Sequence, residues 1–524
     1  MTKANPLWCE HQVAQIMHNQ ETHGVNFDSA KARFLILKLS EEILELDMEA
    51  IPQLPMMMNK AGEYKKPFLK SGKLAKWPTL YCEEHKLPVE VIGAPFTRLW
   101  YTPFDMSKTD KVKRVLIDYG WIPDEWNQKQ LDKDAGERCG KAGVSKEQMM
   151  VNIVDGYVTK NFVNETSAAW KNTLLNELRY RGARNRRAIT DFLLHQRFIP
   201  TSPKLTESSL DTVDGTVGLL VMKRVQLSHR RSLLQGLLRQ VRPDGKLSAG
   251  ANSCATPTYR MKHRTVVNIP AARSVYGKQL RGLFIGDADP SAKARMVGGK
   301  YVPAGQWDFV GYDASGLELR MLAHYMGDDS YTHILLTGDI HSHNQALAGL
   351  PTRDDAKTFI YAHNYGAGDA KLGLIVGGGK AAGKQIRQEF MSGLPLLDAL
   401  ISRVKKQAES GYLEGLDGRP LVMRTGYDGK PQVHKALNTL LQAAGSIVMK
   451  YAMIYLDHWI KQANLRAYKV IDMHDESQYT CHPDDTPKLT QLMEVCVKAA
   501  GEYLKLQCPL ASDAMVGKSW FDTH

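Results

Sequence analysis

The chain has 524 residues, which is long enough for roughly three or four structural lobes with sizeable cores. Hydrophobic residues make up 43% of it and charged residues 24%, as in ordinary soluble proteins. Its seven cysteines are scattered and form no CxxC pair, which argues against a disulfide framework and against a structural zinc site. The formal net charge of +12 favours a polyanionic partner, of which nucleic acid is the commonest.

No segment predicts insertion into a membrane. The N-terminal sequence MTKANPLWCEH lacks the apolar core of a signal peptide. The most apolar helical stretch, from Leu440 to Leu456, is interrupted by Gln442 and Lys450 and is too short to span a bilayer. Together with the reduced cysteines, this predicts a soluble protein of the cytoplasm.

The first elements in chain order are predicted to be helices. Residues 8–20 read as a short helix that ends at a turn over 24–28, and a second helix with a regular apolar stripe follows. The segment 52–95 is rich in Pro, Gly and Lys, so we expect it to be an exposed basic loop.

Two further basic regions follow. The segment 128–195 has helical texture and holds a dense run of arginines at 179–187. Residues 215–240 read as another basic helix, which carries Lys223 and Arg224. The arginine run fits a clamp on nucleic-acid phosphates and a solvated helix face equally well.

Two acidic residues are predicted at the ends of strands in the second half of the chain. A segment that begins at Trp307 looks like a strand ending at Asp313, and 468–481 read as a β-hairpin whose turn carries Asp475. Two Mg²⁺ ions about 3.5–4 Å apart, held by such a pair, can activate an attacking hydroxyl and stabilise a leaving pyrophosphate. By itself, an Asp at the end of a strand is usually a cap, and an acidic hairpin turn is often simply solvated.

One predicted helix combines cations and aromatic rings on a single face. Arg353, Lys357, Tyr361 and Tyr365 are spaced by four, so they form one slanted stripe. The stripe offers a guanidinium and an ammonium group to a triphosphate and rings to a sugar and base. An amphipathic helix with solvated cations has the same spacing. Upstream, His341 could also meet a phosphate.

Together these motifs resemble those of family A, the DNA polymerase I-type DNA polymerases, and most closely the replicative polymerases of short-tailed phages. DASGLELR at 313–320 resembles the family's motif A, RDDAKTFIYAHNYGAG at 353–368 its motif B, and MHDES at 473–477 its motif C. The similarity extends over residues 223–524. It implies a multi-domain α+β fold shaped like a right hand, with an antiparallel-sheet palm and a helical thumb and fingers.

The resemblance implies roles for the motif residues. Asp313, Asp475 and the backbone carbonyl of Ala314 would bind two Mg²⁺ ions. Tyr361 would pack against the sugar of a dNTP, and Glu318 would exclude a ribose 2′-hydroxyl. The residues that would bind the dNTP are His341, Arg353, Lys357, Tyr361 and Glu318. Lys357 would also take part in catalysis.

A second set would contact primer–template DNA: Tyr365, Arg260, Gln442, His474, Lys223 and Arg224. Tyr365 would guard the templating position, and Lys223 and Arg224 would hold duplex phosphates. The remaining three would read the minor-groove acceptors that all correct base pairs share. The family's Thr-Gly-Arg appears here as Thr258-Tyr259-Arg260, so this chain departs from the pattern next to one of these readers.

The resemblance also divides the chain into lobes: an N-terminal helical segment 1–26, a thumb 27–247 with the basic loop 52–95 and an insertion 128–195 of unknown role, a palm 248–325 and 438–524, and fingers 326–437. A single-subunit RNA polymerase is an alternative that Glu318 disfavours. A non-catalytic primer–template clamp is another, and the intact Asp313, Lys357 and Asp475 argue against it. A GxxxxGK match at 378–384 reads as a helix connection, because Gln385 replaces the Mg²⁺-binding Ser or Thr.

No 3′–5′ exonuclease domain is recognised in this chain, because Asp47 and Glu49, the best DxE match, lie on a predicted helix and not on a strand. Proofreading would then be absent, supplied by a separate exonuclease, or located in a part of the protein that was removed from this sequence. The segment 52–95 lies where phage relatives insert a thioredoxin-binding loop, so a processivity factor, thioredoxin-like or other, is a candidate partner. A helicase–primase, primer–template DNA and dNTPs complete the expected partners of a monomer that acts in the host cytoplasm if phage-encoded.

Overall fold

The computed structural model describes residues 5–84, 86, 88, 96–160, 178, 185–425 and 430–523. The helices are α1 (Pro6–His23), α2 (Ser29–Ala50), α3 (Lys76–Glu84), α4 (Thr109–Asp118), α5 (Leu131–Ala142), α6 (Lys146–Val158), α7 (Arg186–Gln196), α8 (Glu207–Leu210), α9 (Thr216–Leu238), α10 (Gly277–Arg281), α11 (Leu317–Met326), α12 (Asp329–Thr337), α13 (Ile340–Ala348), α14 (Arg353–Asn364), α15 (Asp369–Leu374), α16 (Lys380–Ser392), α17 (Pro395–Ala408), α18 (Ala436–Gln462) and α19 (Thr486–Tyr503).

The strands are β1 (Val25–Phe27), β2 (Met57–Tyr64), β3 (Phe96–Thr102), β4 (Trp126–Gln130), β5 (Phe198–Pro203), β6 (Lys246–Leu247), β7 (Ala251–Asn252), β8 (Lys262–His263), β9 (Phe284–Ile285), β10 (Arg295–Val297), β11 (Lys300–Val302), β12 (Asp308–Ala314), β13 (Tyr412–Glu414), β14 (Pro420–Val422), β15 (Ala467–Met473), β16 (Glu476–Cys481) and β17 (Ser512–Gly517). The chain divides into two compact units. The first is Met1–Ile36 with Ser232–His524, and the second is Leu37–Arg231.

A four-stranded antiparallel sheet forms the centre of the first unit, in the order β15-β16-β12-β17. β12 pairs with a strand on each side, and its first five residues are buried, which explains why the segment is nearly continuously apolar. Val310 and Tyr312 belong to the main core, and α19 packs directly on β12 and β17. An antiparallel sheet covered by helices confirms the predicted α+β class.

The longest helix, α18, has 27 residues and is buried on most of its surface. The stretch Val433–Gln462 is long and apolar enough to cross a membrane by length and composition alone, but 72% of its most apolar window is buried inside the protein. A helix that is apolar all round and buried is typical of a large core. The helix is therefore longer than the predicted stretch from Leu440 to Leu456, and it packs against α1, α11 and α19.

The N-terminal helix α1 belongs to the first unit. It begins after Asn5, whose side chain accepts a hydrogen bond from the amide of Trp8 as an N-cap. Its buried face packs against α18 and β15. The turn expected at 24–28 is instead strand β1, which lies between β6 and β9 in a small sheet. Three residues are too few to show a strand period in the sequence.

Seven helices, α11 to α17, follow one another between β12 and β13. The glycine-rich run at 378–384 leads into α16 as the expected helix connection. Gly383 approaches the carbonyl of Asp369 so closely that a Cβ atom would not fit. Gly373 is equally close to the carbonyl of Gly379. These glycines thus allow α15 and α16 to pack tightly.

In the second unit, the segment 52–95 contains more regular structure than the loop that we expected. β2 pairs with β3 in an antiparallel ladder, and α3 lies between them in the chain. The strand is hard to recognise because its sequence MMNKAGEY hardly alternates between apolar and polar residues. Residues 85, 87 and 89–95 lie outside the described part of the chain.

The predicted insertion at 128–195 is a helical module with its own core. β4 pairs with β5, with Gln130 opposite Phe198, and so closes the base of the module. The core consists of apolar residues from its strands and helices, among them Leu131, Ala135, Met150, Val154, Ile189 and Leu193. Most of the arginine run at 179–187 lies outside the described residues, and Arg186 and Arg187 are exposed.

Candidate active site

A cavity of about 330 Å³ in the first unit collects residues from distant parts of the sequence. They come from the loop before β8, the junction of β12 and α11, helices α14 and α18, and the turn between β15 and β16. The predicted site residues in its lining are Arg260, Asp313, Ala314, Glu318, Tyr361, Tyr365, Gln442, His474 and Asp475. The fold therefore assembles most of the predicted site around one space.

The two predicted metal-binding aspartates lie on neighbouring backbone segments. Asp313 in β12 is opposite Glu476 of β16 on one side and Asp513 of β17 on the other. Asp475 follows in the hairpin turn, and its carbonyl accepts a 3.0 Å hydrogen bond from the amide of Ala314. Both aspartates are exposed. In the described chain no group of three or more His, Cys, Asp or Glu could hold a metal ion. A two-carboxylate site suits Mg²⁺, which completes its shell with phosphates and water.

Glu476, which follows Asp475, is the first residue of β16 and is buried. Its carboxylate accepts a hydrogen bond from the indole N–H of Trp520. It accepts another, of 2.6 Å, from the side-chain amide of Gln478. The guanidinium of Arg281 lies 3.9 Å away. These partners hold the second acid of the MHDES motif inside the protein, where it anchors the C-terminal turn to the sheet.

The turn between β15 and β16 has two residues, His474 and Asp475. His474 has a φ of 61°, which such turns favour at their first position and which usually selects Gly or Asn. Its ring contacts that of His263 edge to face at 5.4 Å. Burial, together with the positive charges of Arg260 and His263, lowers the pKa of His474. The ring is therefore neutral near pH 7.

A buried ion pair between the two strands stabilises this turn. The ammonium group of Lys469 lies 2.8 Å from Asp472 and donates a 2.7 Å hydrogen bond to Ser477, whose hydroxyl donates in turn to Asp472. Burial alone would raise the pKa of Asp472, but the attraction of Lys469 holds it well below its usual range. The hairpin that carries Asp475 is thus fixed by side chains as well as by its ladder.

Glu318 and Tyr365 meet across the cavity wall. The Tyr365 hydroxyl donates a 3.0 Å hydrogen bond to the Glu318 carboxylate. Burial raises the pKa of Glu318, although the tyrosine hydroxyl and Arg260 oppose the shift. Burial and the carboxylate together raise the pKa of Tyr365 to about 12. Tyr361, one turn earlier on α14, is half-buried in the same wall.

The three candidates for binding a triphosphate, His341, Arg353 and Lys357, lie in the N-terminal halves of α13 and α14, beyond the cavity lining. Arg353 starts α14 and forms an ion pair of 2.6 Å with Asp339, which caps α13 and accepts from the amide of His341. Burial and the charges of Arg353 and Lys357 lower the pKa of His341. The cations that were predicted to bind a triphosphate are thus neighbours, and Asp339 is the present partner of the guanidinium.

Lys223 and Arg224 lie on α9 in the second unit and do not line the cavity. Lys223 is exposed. Arg224 is directed inward, with its guanidinium 2.9 Å from Asp47 and its side chain only 16% exposed. Asp47 is the first acid of the DxE match and lies on α2, as the sequence predicted. Its engagement with Arg224 could not be read from the sequence, because the two residues are far apart in it.

Two charged residues of the cavity lining were missed by sequence reasoning: Lys450 and Asp472. The signal for Lys450 was its position as a lone cation in an apolar helix, which we interpreted only as an interruption. Asp513, opposite Asp313, was also missed, because β17 has no motif that marks its acid. Asp513 accepts a 2.7 Å hydrogen bond from the hydroxyl of Ser315.

Comparisons with known proteins show the family of the chain. The family model described as DNA polymerase family A matches residues 199–522. The chain is 42% identical to the DNA-directed DNA polymerase of Escherichia phage Phieco32 over 99% of both chains. It is 28% identical to that of Enterobacteria phage T3 over 98% of this chain and 69% of the relative.

A solved structure shares the fold. It is the "POL domain of Pol1 from M. smegmatis complex with DNA primer-template and dNTP". The TM-score is 0.64 at 17% identity, and the match covers 98% of this chain and 70% of the other. At that identity the likeness concerns the arrangement of elements and not the site residues.

Proposed function

This chain belongs to DNA polymerase family A and is a DNA-directed DNA polymerase, and we propose that it extends a primer 3′ end with dNTPs by two-metal-ion nucleotidyl transfer in phage DNA replication. The observation that carries the proposal is the lining of one cavity. Asp313 and Asp475, linked through the backbone, share it with Glu318, Tyr361 and Tyr365. Carboxylates for metal ions and aromatic walls for a nucleotide are both required by template-directed synthesis.

Asp313, Asp475 and the carbonyl of Ala314 would hold the two Mg²⁺ ions. Bound Mg²⁺ lowers the pKa of an attacking hydroxyl and neutralises charge on the leaving pyrophosphate. The chain's own contribution is to hold the backbones of the two aspartates next to each other before substrate binds, through the hydrogen bond between Ala314 and Asp475.

The dNTP would be bound by residues from α11, α13 and α14. The planar guanidinium of Arg353 suits two terminal phosphate oxygens, and Lys357 places a point charge near the reacting phosphate. His341, neutral at physiological pH, would donate one hydrogen bond. Tyr361 would pack against the sugar, and the hydrogen-bonded Glu318 would close the space that a 2′-hydroxyl needs.

The residues that we propose to contact DNA differ in how accessible their side chains are in this structure. Arg260, Gln442 and His474 line the cavity and would read the minor groove of the primer-terminal pair. Tyr365 would occupy the templating position until the template base enters. Lys223 is exposed and would bind a phosphate directly, whereas Arg224 would bind one only after its ion pair opens.

The proposed lobes follow the sequence ranges. The thumb would be 27–247, which includes the second compact unit. The palm would be 248–325 with 438–524, and the fingers 326–437. Closure of the fingers on a matched dNTP would complete the site and contribute to discrimination.

We also propose that this chain carries no 3′–5′ exonuclease activity, so that proofreading is supplied by a separate protein or is absent. Asp47 and Glu49 lie on helix α2, and Asp47 is held by Arg224. Two acids two positions apart on a helix point to different sides, which does not suit a metal pair. Incubation of a labelled primer–template without dNTPs tests this: we expect no shortening, and stepwise shortening that survives further purification would contradict it.

A processivity factor, thioredoxin-like or other, is the partner proposed for the segment 52–95, together with strand β3 that follows it. Four large apolar side chains are exposed here: Met58 (51% exposed), Trp77 (67%), Trp100 (51%) and Tyr101 (60%). Large exposed apolar side chains concentrated in one segment are typical of protein-binding surfaces. Adding thioredoxin to a primer-extension reaction on a long template, with Trp77→Ser and Trp100→Ser variants beside the parent, would show whether product length depends on this segment.

The experiment that tests the function is extension of a labelled primer on a defined template with Mg²⁺ and either dNTPs or rNTPs. Template-directed extension with dNTPs is expected. Extension with rNTPs at equal efficiency would favour a single-subunit RNA polymerase, which Glu318 disfavours. Binding of the primer–template without extension would favour a non-catalytic clamp, and either result would overturn the proposal. A monomer that acts in the host cytoplasm is the proposed setting.

A further inference from the structure

Tyr259 has a backbone conformation that tyrosine rarely adopts. Its φ is 56°, in the left-handed region where the absence of a Cβ atom makes glycine the favoured residue. In the sequence it occupies the place of the glycine in the family's Thr-Gly-Arg. A bulky residue persists at such a φ only when its surroundings determine the conformation. The contacts of the ring and of the backbone show what these surroundings are.

Two cations hold the ring. The guanidinium of Arg419 lies 4.7 Å from its centroid and the ammonium group of Lys450 lies 5.5 Å from it. Both distances fall within the range of cation–π attraction. The Tyr259 hydroxyl donates a 3.1 Å hydrogen bond to the carbonyl of Pro420 in β14. The side chain is therefore fixed at its face and at its tip.

The cations are themselves held in a buried, charge-balanced network. Arg419 is 2% exposed, and its guanidinium donates hydrogen bonds to both carboxylate oxygens of Asp417, the shortest at 2.7 and 2.9 Å. It also contacts Glu10 of α1. Lys450 lies 2.6 Å from the same Glu10 and donates a 2.9 Å hydrogen bond to the carbonyl of Ser253. Two buried cations and two carboxylates thus stand behind the tyrosine ring, and none of them can turn away without leaving a charge unpaired.

The backbone around Tyr259 is tied as firmly as its ring. Its amide donates to the carbonyl of Thr256 at 3.0 Å, and the Thr256 hydroxyl donates to the carbonyl of Arg260 at 3.0 Å. The Tyr259 carbonyl accepts a 2.8 Å hydrogen bond from Ser446 on α18. One turn before Ser446 on that helix is Gln442, which lines the cavity together with Arg260.

We propose that Tyr259 is a positioning residue, clamped by Arg419 and Lys450, which fixes the backbone at Arg260 and so sets how strictly the primer-terminal base pair is checked. A glycine at this position can adopt the same φ without strain, but it can also adopt many other backbone conformations. The clamped tyrosine ring allows only one backbone conformation. The inference rests on the proposed role of Arg260 as a minor-groove reader.

The test is single-nucleotide addition from a matched and from a mismatched primer terminus, with discrimination measured as the ratio of the two kcat/KM values. Tyr259→Leu and Tyr259→Gly both remove the ring, and only the second relieves the backbone strain, so at least one should fold. We expect both to lower discrimination by about tenfold, the order expected when one charged hydrogen bond is weakened. Tyr259→Phe keeps the clamp and should stay within about twofold of the parent.

Arg260→Ala and its combination with Tyr259→Gly separate the two proposals. If Tyr259 acts through Arg260, its substitution should change discrimination in the parent and leave it unchanged in the Arg260→Ala background. Discrimination unaffected by Arg260→Ala would overturn the reader role itself. An effect of Arg260→Ala without an effect of Tyr259→Gly, or an equal effect of Tyr259→Gly in both backgrounds, would overturn the clamp.

Tyr276→Leu is the matched control. This tyrosine also has a positive φ, 61°, and does not line the cavity. The Tyr276→Leu substitution should alter thermal stability without altering discrimination between matched and mismatched primer termini. A drop in discrimination equal to that of Tyr259→Leu would show that the readout reports general strain and would overturn the assignment.

Discussion

The backbone amide of Ala314 donates a hydrogen bond to the carbonyl oxygen of Asp475, with a donor–acceptor distance of 3.0 Å. The bond joins the last residue of β12 to the turn between β15 and β16, next to the ladder position where Asp313 faces Glu476. Because it connects backbone to backbone, it persists when either aspartate side chain is changed. The charge of the site can therefore be removed without removing its geometry.

Asp313→Asn and Asp475→Asn should each lower the rate of nucleotide addition by at least about 10³-fold, because each removes a metal-binding charge and keeps the shape of the side chain. The Kd for primer–template should change by less than about threefold, since phosphate contacts lie elsewhere. Rapid-quench kinetics and a binding titration measure the two effects. Asp484→Asn, which removes an exposed carboxylate beside Arg466, is the control and should act like the parent. Near-parental rates for either site variant would refute the metal-binding roles.

Glu318→Ala should make the enzyme accept ribonucleotides more readily. The carboxylate is half-buried and held by Tyr365, so its removal leaves room for a 2′-hydroxyl. We expect the ratio of kcat/KM for dNTP over rNTP to fall by about 100-fold, the order by which one hydroxyl is discriminated in a fitted pocket. Tyr365→Phe keeps the carboxylate but loosens it and should give a smaller fall. An unchanged ratio in Glu318→Ala would remove the gate role.

Arg353→Ala should raise the KM for dNTP by about 100-fold and change kcat less, because a bidentate phosphate contact is lost in both the ground state and the transition state. Asp339 now engages the guanidinium and would lose this ion pair, but it would keep its hydrogen bonds from His341 and Ser342. Lys384→Ala is the matched control, since this lysine belongs to the glycine-rich run and not to the stripe. A KM that rises equally in Lys384→Ala would mean that the phosphates bind at the glycine-rich run instead.

The site motifs were predictable because their signals are local. The segment before Asp313 is a short apolar run, and the helix from Arg353 carries a stripe of residues spaced by four; the structure has both elements, and it has the hairpin around Asp475. By contrast, β1 and β2 were missed. The first is too short to show a period, and the second has the composition of a loop.

Long-range pairings lie beyond the reach of a single sequence. Nothing in the sequence indicates that Arg224 pairs with Asp47, or that Lys450 and Arg419 converge on one ring. The left-handed backbone of Tyr259 was equally hidden, because φ is set by the contacts that force it. Such features depend on tertiary packing, which local patterns do not encode.

The network behind Tyr259 predicts a pH-dependent stability. Burial alone would raise the pKa of Glu10, but the attraction of Lys450 and Arg419 lowers it below its usual 4.5. A carboxylate with a lowered folded-state pKa stabilises the fold above the unfolded-state pKa, and this stability is lost as pH falls through the folded-state value. Glu10→Gln should therefore lower the free energy of unfolding by about 3 kcal/mol at pH 7.

Urea unfolding of the parent and of Glu10→Gln at a series of pH values from 7 downward measures this effect. The difference between the two should shrink below pH 4.5, as Glu10 becomes protonated in the parent. Glu502→Gln, which removes an exposed partner of Lys498, is the control and should cost less than about 0.5 kcal/mol at every pH. A difference for Glu10→Gln that is independent of pH would show that its charge does not stabilise the network.

The helical module between β4 and β5 should be removable without loss of the polymerase. Gln130 and Phe198 face each other at its base, so an Asn-Gly turn in place of 131–197 would close a two-residue hairpin. Most of the module's apolar core is removed with it, and of that core only Trp126 and Ile199 on the two strands remain. We expect extension on short templates to persist.

The slope of log affinity for primer–template against log salt should become shallower by about two, because exposed cations such as Arg186 and Arg187 are lost. The double substitution Arg186→Gln and Arg187→Gln in the full chain should reproduce most of that change. An unaltered slope in the deletion variant would show that the module does not touch DNA phosphates.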